Sequence, residues 1–488
     1  MEQNEIKSQI LKGSIYTGIA KYYNIFCQLL VTAILARLLS PSDFGIVAIA
    51  MVVISFFDII ADAGLGPAIV QNKGMDDEDY SHVFSLSIYF ALLLSVFFLL
   101  LIKPASAYYG EDALVMLLSL LTVQLFFVTV KIVPRALLLK RKRFKTLSKI
   151  GMTSITIFGF ISIIVAYLGG GIISLLIIPI GNSIFSFICC LLSTNEHLRF
   201  IFKPRFSPTK KLLSFSFFQL SFNVINYFSR NFDKLLMGKF LGMSDLGYYE
   251  KSYRIMTLPL STLTNVLSPT IQPVLSKYQD DRDILLSLYY KMTRLLIFFG
   301  ALIVPFLFFS AKELILIVFG DQWVYAIPIF QILSISCIFQ LADSLSGGFL
   351  QAANAPRYLF VSGFLCALLN ILFLLIGLFV FGDLYRTTIC VSISFSLNFI
   401  VSVIFIVKMT FRDSLANYFK LFIKPLCLLF LTALLLYSAT MIKINSVIIT
   451  LAIKVTLTIC MALLYNYYEH IVDFGGFLNS VISKQIKK

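Results

Sequence analysis

Four stripes of polar side chains carry the chemistry open to this chain. Thr17, Lys21, Asn24 and Gln28 recur at steps of four, three and four, so a helix places them on one face. Ser55, Asp58 and Asp62 follow the same rule, as do Asn223, Asn226, Arg230 and Asp233, with Lys234 beside them. The fourth stripe runs through Glu250, Arg254, Thr257, Ser261, Asn265 and Ser268. Each lies in a largely apolar stretch, where a charge costs at least about 2.5 kcal/mol at mid-membrane and normally faces a bundle interior or a water-filled cavity. The stripes are therefore expected to line a polar cavity. Asp58 and Asp62 sit one turn apart with no base beside them, an arrangement that can share a proton or hold a coupling cation; Asp343, between Gln340 and Ser344, is a similar position. The spacing also allows a plainer role, because Arg230 with Asp233 and Glu250 with Arg254 can pair along their own helices. Lys21 has no acidic neighbour one turn away.

Other reactive residue types form no constellation. His82, His197 and His470 fall near loop ends, and the eight cysteines contain no CxxC pair, so neither a metal site nor a disulfide is expected. The Gly169-Gly170-Gly171 run is a tight turn without the preceding strand a phosphate loop needs. No nucleophile or acid–base cluster points to an enzyme, and no cofactor is expected.

The elements that must position the stripes follow from composition. Of 488 residues, 59% are apolar and 13% charged, with a mean hydropathy of +0.90; a soluble domain carries about 25% charged residues. Fourteen apolar runs span 15–38, 44–66, 82–102, 113–133, 149–168, 171–192, 214–240, 246–269, 288–309, 325–348, 358–381, 387–407, 420–440 and 446–467. Runs of about 20 apolar residues cross a bilayer as helices, so the chain is an all-α polytopic membrane protein of about 14 spans. The first run is too long for a signal-peptide core. Trp323, after Phe319-Gly320-Asp321, reads as an interfacial anchor. Past Lys420 and Lys424 at the loop end, spans thirteen and fourteen carry only Lys454 and read as peripheral.

The net charge of +15 does not imply a nucleic-acid partner, because most of the Lys and Arg lie in short loops between spans. Their distribution instead gives the topology. Alternate loops hold 27 cations on one side and 6 on the other, so the positive-inside rule places both termini in the cytoplasm. A weak repeat is also visible. Ala36-Arg-Leu-Leu-Ser-Pro-Ser-Asp-Phe-Gly45 and Gly238-Lys-Phe-Leu-Gly-Met-Ser-Asp-Leu-Gly247 share Leu39/Leu241, Ser42/Ser244, Asp43/Asp245 and Gly45/Gly247 at one constant spacing. Both corners open blocks of six spans, and an even number makes the blocks insert in the same direction.

Longer motifs carry a resemblance. Arg230-Asn-Phe-Asp-Lys-Leu-Leu-Met-Gly-Lys-Phe-Leu-Gly-Met-Ser-Asp-Leu-Gly-Tyr-Tyr249, followed by Tyr253-Arg254 and Leu258-Pro259, resembles the signature of bacterial polysaccharide flippases, in the colanic and teichuronic acid exporter branch. Asp62-Ala-Gly-Leu-Gly-Pro-Ala-Ile-Val-Gln71, Val318-Phe-Gly-Asp-Gln-Trp-Val-Tyr-Ala-Ile-Pro-Ile-Phe-Gln331 and Gly348-Phe-Leu-Gln-Ala-Ala-Asn-Ala-Pro-Arg357 fit in the same order, over roughly residues 10 to 470. The resemblance implies the multidrug/oligosaccharidyl-lipid/polysaccharide exporter fold: two six-helix lobes around a central cavity, here residues 1–205 and 206–412, plus two peripheral helices and a tail in 413–488. It implies a flippase that moves an undecaprenyl-diphosphate-linked oligosaccharide, such as an O-antigen, capsule or exopolysaccharide repeat unit. The movement would run from the inner to the outer leaflet of the bacterial inner membrane by alternating access.

Lys21, Asn24, Gln28, Asn223, Asn226, Arg230, Lys234 and Arg254 are then the expected substrate-binding set, since a diphosphate crossing hydrocarbon needs a polar route with basic groups. Asp58, Asp62 and Asp343 would serve a coupling ion, proton or sodium. The implied partners are the lipid-linked glycan, membrane lipids, and a polysaccharide polymerase with its chain-length machinery. A multidrug or other small-molecule antiporter of the same fold is the competing reading, and a membrane polymerase or ligase a more distant one. The topology makes a direct prediction: in cysteine variants, reagent applied from outside labels positions 41 and 383 but not 143 or 208, and labelling at 143 would reverse the orientation.

Overall fold

The computed structural model describes residues 2–62, 65–72, 74–194, 198–206, 223–224, 227–228, 230–275, 281–442, 444 and 446–469. Those residues are helical throughout apart from short turns and loops, with no strand among them, and they hold twelve helices long and apolar enough to cross a membrane. A helix satisfies its backbone hydrogen bonds within one segment, as lipid requires. The seventh expected span, 214–240, lies partly outside the described residues, and its last part, 230–240, is helical. The eighth is a helix, Met243–Leu275, whose polar stripe keeps it apart from the apolar twelve. The chain forms two compact units, 1–247 and 248–488.

In the first unit the helices are α1 (Glu2–Leu38), α2 (Pro41–Asp62), α3 (Leu65–Gln71), α4 (Asp77–Tyr109), α5 (Ala113–Lys140), α6 (Phe144–Tyr167) and α7 (Ser174–Ser193). Local chemistry sets their ends. Ser40 and Asp43 cap α2 reciprocally: the Ser40 amide donates to the Asp43 carboxylate at 2.9 Å and the Asp43 amide donates to the Ser40 hydroxyl at 3.2 Å. Asp76 caps α4 by accepting from the Asp79 amide at 2.8 Å, and Gly110, at φ 73°, ends it. Helix α1 packs on α6, and α5 packs on both α4 and α7. Helices α3, α4 and α5 share a core of Ile69, Tyr80, Val83, Phe84, Val133 and Leu137.

The two repeat corners meet inside this unit. A Cβ on Gly45 would stand 1.8 Å from the Met243 carbonyl oxygen, and one on Gly247 would stand 2.1 Å from that of Pro41. The contact is reciprocal, because Pro41 and Met243 are equivalent positions of the repeat, as are Gly45 and Gly247. Such self-complementary packing is what a local two-fold relation between like elements produces.

In the second unit α8 (Met243–Leu275, which begins in the first), α9 (Arg282–Phe309), α10 (Ala311–Val318), α11 (Ala326–Asp343), α12 (Ser346–Ala352), α13 (Pro356–Ile376), α14 (Leu384–Val403), α15 (Leu415–Met441) and α16 (Val447–Glu469) follow. Helix α9 packs on α11 and α15, and α14 on α11 and α13. Tyr289, Phe349, Phe399, Phe411 and Tyr418 form an aromatic core between them. In the loop before α15, the Tyr290 hydroxyl donates to Asp413 at 2.5 Å and, with the Ser414 amide and Asn417, holds its carboxyl below the usual range.

One expectation is corrected here. Trp323 is fully buried, packed between Phe319 and Tyr248, and is not an interfacial anchor; a 3-10 turn, Asp321–Trp323, directs the ring inward. Helix α16 is bound to the unit by ion pairs in its first half and at its last residue. Lys454 Nζ lies 2.6 Å from Glu313 Oε1 and donates to the Phe309 carbonyl at 2.7 Å, with the two charged side chains only 2% and 10% exposed. At the C-terminal end Glu469 accepts from Lys424 at 2.7 Å and from Arg294 at 2.8 Å. Removing one member of a buried pair strands the other charge, at about 3–5 kcal/mol. Lys454→Met should therefore lower the melting temperature of the purified protein markedly, and adding Glu313→Leu should restore most of the loss. Equal destabilisation by single and double variants would count against the pair.

Candidate functional site

Three of the predicted residues converge. Lys21, Asn24 and Gln28 line a cavity of about 650 Å³ in the first unit, together with Thr17 of the same stripe. The stripe faces inward because the opposite side of α1 carries Ile15, Ile19, Tyr22, Phe26 and Leu30, all strongly exposed as lipid contact requires. Val31 of α1 rests against Gly159 of α6, where a Cβ would come within 2.8 Å, so the two helices approach closely above the cavity. A hydrogen bond of 2.8 Å between the Tyr23 and Thr156 hydroxyls pins the same pair.

The facing wall comes from α5 and α7. Lys131 and Arg135, four residues apart on α5, point into the cavity, as do Asn182 and Ser186 of α7, which are joined by a 3.0 Å hydrogen bond. Ser148 and Gly151 of α6 complete the polar lining. Three cations thus share one chamber at different depths: Arg135 stands about 6 Å along α5 from Lys131. No Asp or Glu is among the lining residues. Asn24 Oδ1 is buried and makes no hydrogen bond.

Lys131 and Arg135 were not singled out from sequence. Arg135 counted as a loop cation, because the apolar run stops at 133, yet α5 continues to Lys140. The signal was present: Gln124, Lys131 and Arg135 fall at steps of seven and four, one helical face. Asp58 stands behind this wall. Its Oδ2 accepts from Gln124 Nε2 at 3.4 Å, it feels the charge of Lys131, and its Oδ1 has no hydrogen-bond partner.

The remaining predicted residues lie elsewhere. Asn223, Arg230 and Lys234 belong to the first unit and are not among the cavity's lining residues; Arg230 is exposed, and residues 230–240 are helical. Asn226 lies outside the described residues. Arg254 is half-buried on α8 in the second unit, where neighbouring Glu250 pairs with Lys251 at 2.9 Å. Asp62 ends α2, with Oδ1 3.3 Å from where a Cβ of Gly66 would stand. Asp343 ends α11 in the second unit, with Oδ1 buried and unpartnered. Among the described residues no group of His, Cys, Asp and Glu could hold a metal ion.

Comparison with known proteins defines the class first. The fold is that of a polytopic helical membrane protein: it matches the lipid II flippase MurJ in an inward closed conformation at a TM-score of 0.71 and 15% identity, over 94% of this chain and 99% of that one. An inward-facing multidrug resistance MATE family transporter of the MOP superfamily matches at 0.61 and 16%, over 82% and 95%. Within that class the chain belongs to the polysaccharide biosynthesis protein family, whose model matches residues 34–328. The teichuronic acid biosynthesis protein TuaB of Bacillus subtilis is 25% identical over 86% of each chain. The lipopolysaccharide biosynthesis protein WzxC of Escherichia coli is 25% identical over 71% of this chain and 70% of its own.

The cavity makes a chemical prediction independent of the natural ligand. Inorganic pyrophosphate should bind the purified protein, and Arg135→Gln should weaken it about tenfold or more, the worth of a charge-assisted hydrogen bond. Gly151→Leu, which adds bulk beside Asn24 where the nearest atom leaves 3.5 Å, should block binding without lowering the melting temperature. Unchanged affinity in both variants would place the anion elsewhere.

Proposed function

We propose that this multi-pass membrane protein is a flippase for a glycan linked through a diphosphate to undecaprenol, moving it from the cytoplasmic to the outer leaflet of the bacterial inner membrane by alternating access. The observation that carries the reading is the cavity: Lys21, Lys131 and Arg135 with Asn24, Gln28 and Asn182, and no lining carboxylate. Counted over the whole sequence, the acids and bases of the polar stripes balance. Gathered in the chamber they do not, and a cationic drug would meet repulsion there. The polar lining suits a sugar diphosphate, while a prenyl tail needs no polar route at all. Family membership and the names of the relatives support the same substrate class.

The chamber occupies the ends of α1, α5, α6 and α7 that adjoin the more basic loops, so under the positive-inside rule it faces the cytoplasm and both termini are cytoplasmic. Arg135 and Lys21 then meet the diphosphate first, and Lys131 takes it about one turn deeper. Asn223, Asn226, Arg230, Lys234 and Arg254 are assigned to later contacts along the route. Residues 1–205 and 206–412 are read as the two six-helix repeats and 413–488 as the added hairpin and tail, a reading supported by the reciprocal packing of Gly45 and Gly247. Asp58, Asp62 and Asp343 are assigned to a coupling cation, proton or sodium. A polymerase with its chain-length machinery would consume the product.

The test is export. Arg135→Gln and Lys131→Gln should abolish surface polysaccharide and leave lipid-linked repeat units on the cytoplasmic face, with normal protein abundance in the membrane. Arg135→Lys should retain part of the activity, since a point charge attracts phosphate without the bidentate fork. Arg230→Ala should also abolish export. Normal export by all the Gln variants would remove the cavity from the pathway, and loss of abundance would make the cations structural.

A further inference from the structure

One basic, aromatic stretch serves neither the cavity nor the ion-pair clamps. Residues 199–206, following α7, read Arg-Phe-Ile-Phe-Lys-Pro-Arg-Phe. They form no helix, and α4 holds them by their backbone. The Arg199 amide donates to the Ser81 hydroxyl at 3.3 Å and the Ile201 amide to the Ser85 hydroxyl at 2.8 Å; the Tyr89 hydroxyl donates to the Phe202 carbonyl at 2.9 Å. From Ser81 to Tyr89 these anchors climb about 12 Å of helix. The chain then turns back, and the Arg205 amide donates to His82 Nδ1 at 3.1 Å. The strap therefore rises along α4 and descends again.

Its side chains are left outward. Phe200, Phe202 and Phe206 are 52%, 79% and 59% exposed, and Arg199, Lys203 and Arg205 are exposed between them. Phe200 packs on the Tyr89 ring with centroids 5.8 Å apart. Beyond Tyr89 the same helix exposes Leu92, Leu93, Val96 and Leu100, the strip that meets acyl chains. The phenylalanines extend this strip toward the start of α4, at the level where hydrocarbon gives way to headgroups. Glu78 is the acidic partner of Arg205, 3.8 Å away, and both are well exposed, so the pair is weak. Leaving a Phe ring in water forgoes about 1.5–3 kcal/mol, yet the fold spends hydrogen bonds to present three.

We propose that the strap 199–206 is an interfacial lipid-binding element: its rings enter the acyl boundary, and Arg199, Lys203 and Arg205 bind the phosphodiester of an anionic phospholipid. Apolar insertion and electrostatic attraction to anionic lipid add in such elements. The inference does not depend on what the cavity transports.

The test uses the full chain in vesicles of phosphatidylcholine or phosphatidylglycerol whose acyl chains are brominated near the headgroup. In the F202W variant the strap acquires a tryptophan, and the native protein, with its buried Trp323, supplies the background. The F202W signal should be quenched by both lipids, and in equimolar mixtures about threefold more by brominated phosphatidylglycerol. Adding R199Q, K203Q and R205Q should keep the quenching and abolish the preference. Absence of quenching by either lipid would place the strap in water or against another protein and overturn the proposal. So would equal quenching by the two lipids in F202W, or a preference that survives the loss of the three cations.

Discussion

Hydrocarbon tolerates no unattended charge, and most of this architecture can be read as the arrangement of a few charges within it. Lys454 is held by Glu313 and a backbone carbonyl; Glu469 collects Lys424 and Arg294. Those pairs tie helices together and leave nothing for a ligand. Lys21, Lys131 and Arg135 are handled differently: they face a chamber with no lining acid, and Asp58 stands behind the wall. A cation that faces a chamber without a lining acid is one that a ligand can use. The contrast between clamp and chamber separates structural from functional charge more sharply than burial does.

The same physics explains what could be read from the sequence. The stripe Thr17, Lys21, Asn24 and Gln28 was legible because the relation is internal to one helix and fixed by its period. The all-helical membrane class was legible because run length and charge content decide it. Lys131 and Arg135 are not legible in the sequence, since the end of an apolar run does not mark the end of a helix and the wall they form needs α1 beside α5. The Lys454–Glu313 pair joins residues 141 positions apart, a relation no local pattern contains. Trp323 misled because membrane-edge statistics describe where tryptophans gather, while this ring is turned inward by the geometry of one 3-10 turn and filled against by Phe319 and Tyr248.

The repeat occupies an intermediate position. Four identities over ten residues are thin support, and Ser-Asp before a helix can arise independently as a cap. The structure adds what letters could not: Gly45 meets the carbonyl of Met243 and Gly247 meets that of Pro41, each the counterpart of the other. A side chain at either glycine would force backbone apart, because carbonyl oxygens cannot rotate away as a flexible side chain can. The glycines are therefore constrained by close approach, not by backbone dihedral, which fits their place inside helices rather than in turns.

Depth ties these observations to mechanism. A polyanion entering a low-dielectric space gains most when cations are spaced along its path, because one strong site at the mouth would hold it there. Arg135 and Lys131, about 6 Å apart along one helix, offer such a gradation, and amides from Asn24, Gln28 and Asn182 contribute donors and acceptors without added net charge. Asp58, behind the wall, stands close enough to Lys131 for the two charges to act on each other. Under the proposed function, a diphosphate reaching Lys131 competes with that carboxylate. On the same proposal, binding at depth depends on what neutralises Asp58, and that dependence is the physical route by which a cation on the carboxylate would be coupled to the passage of the anion.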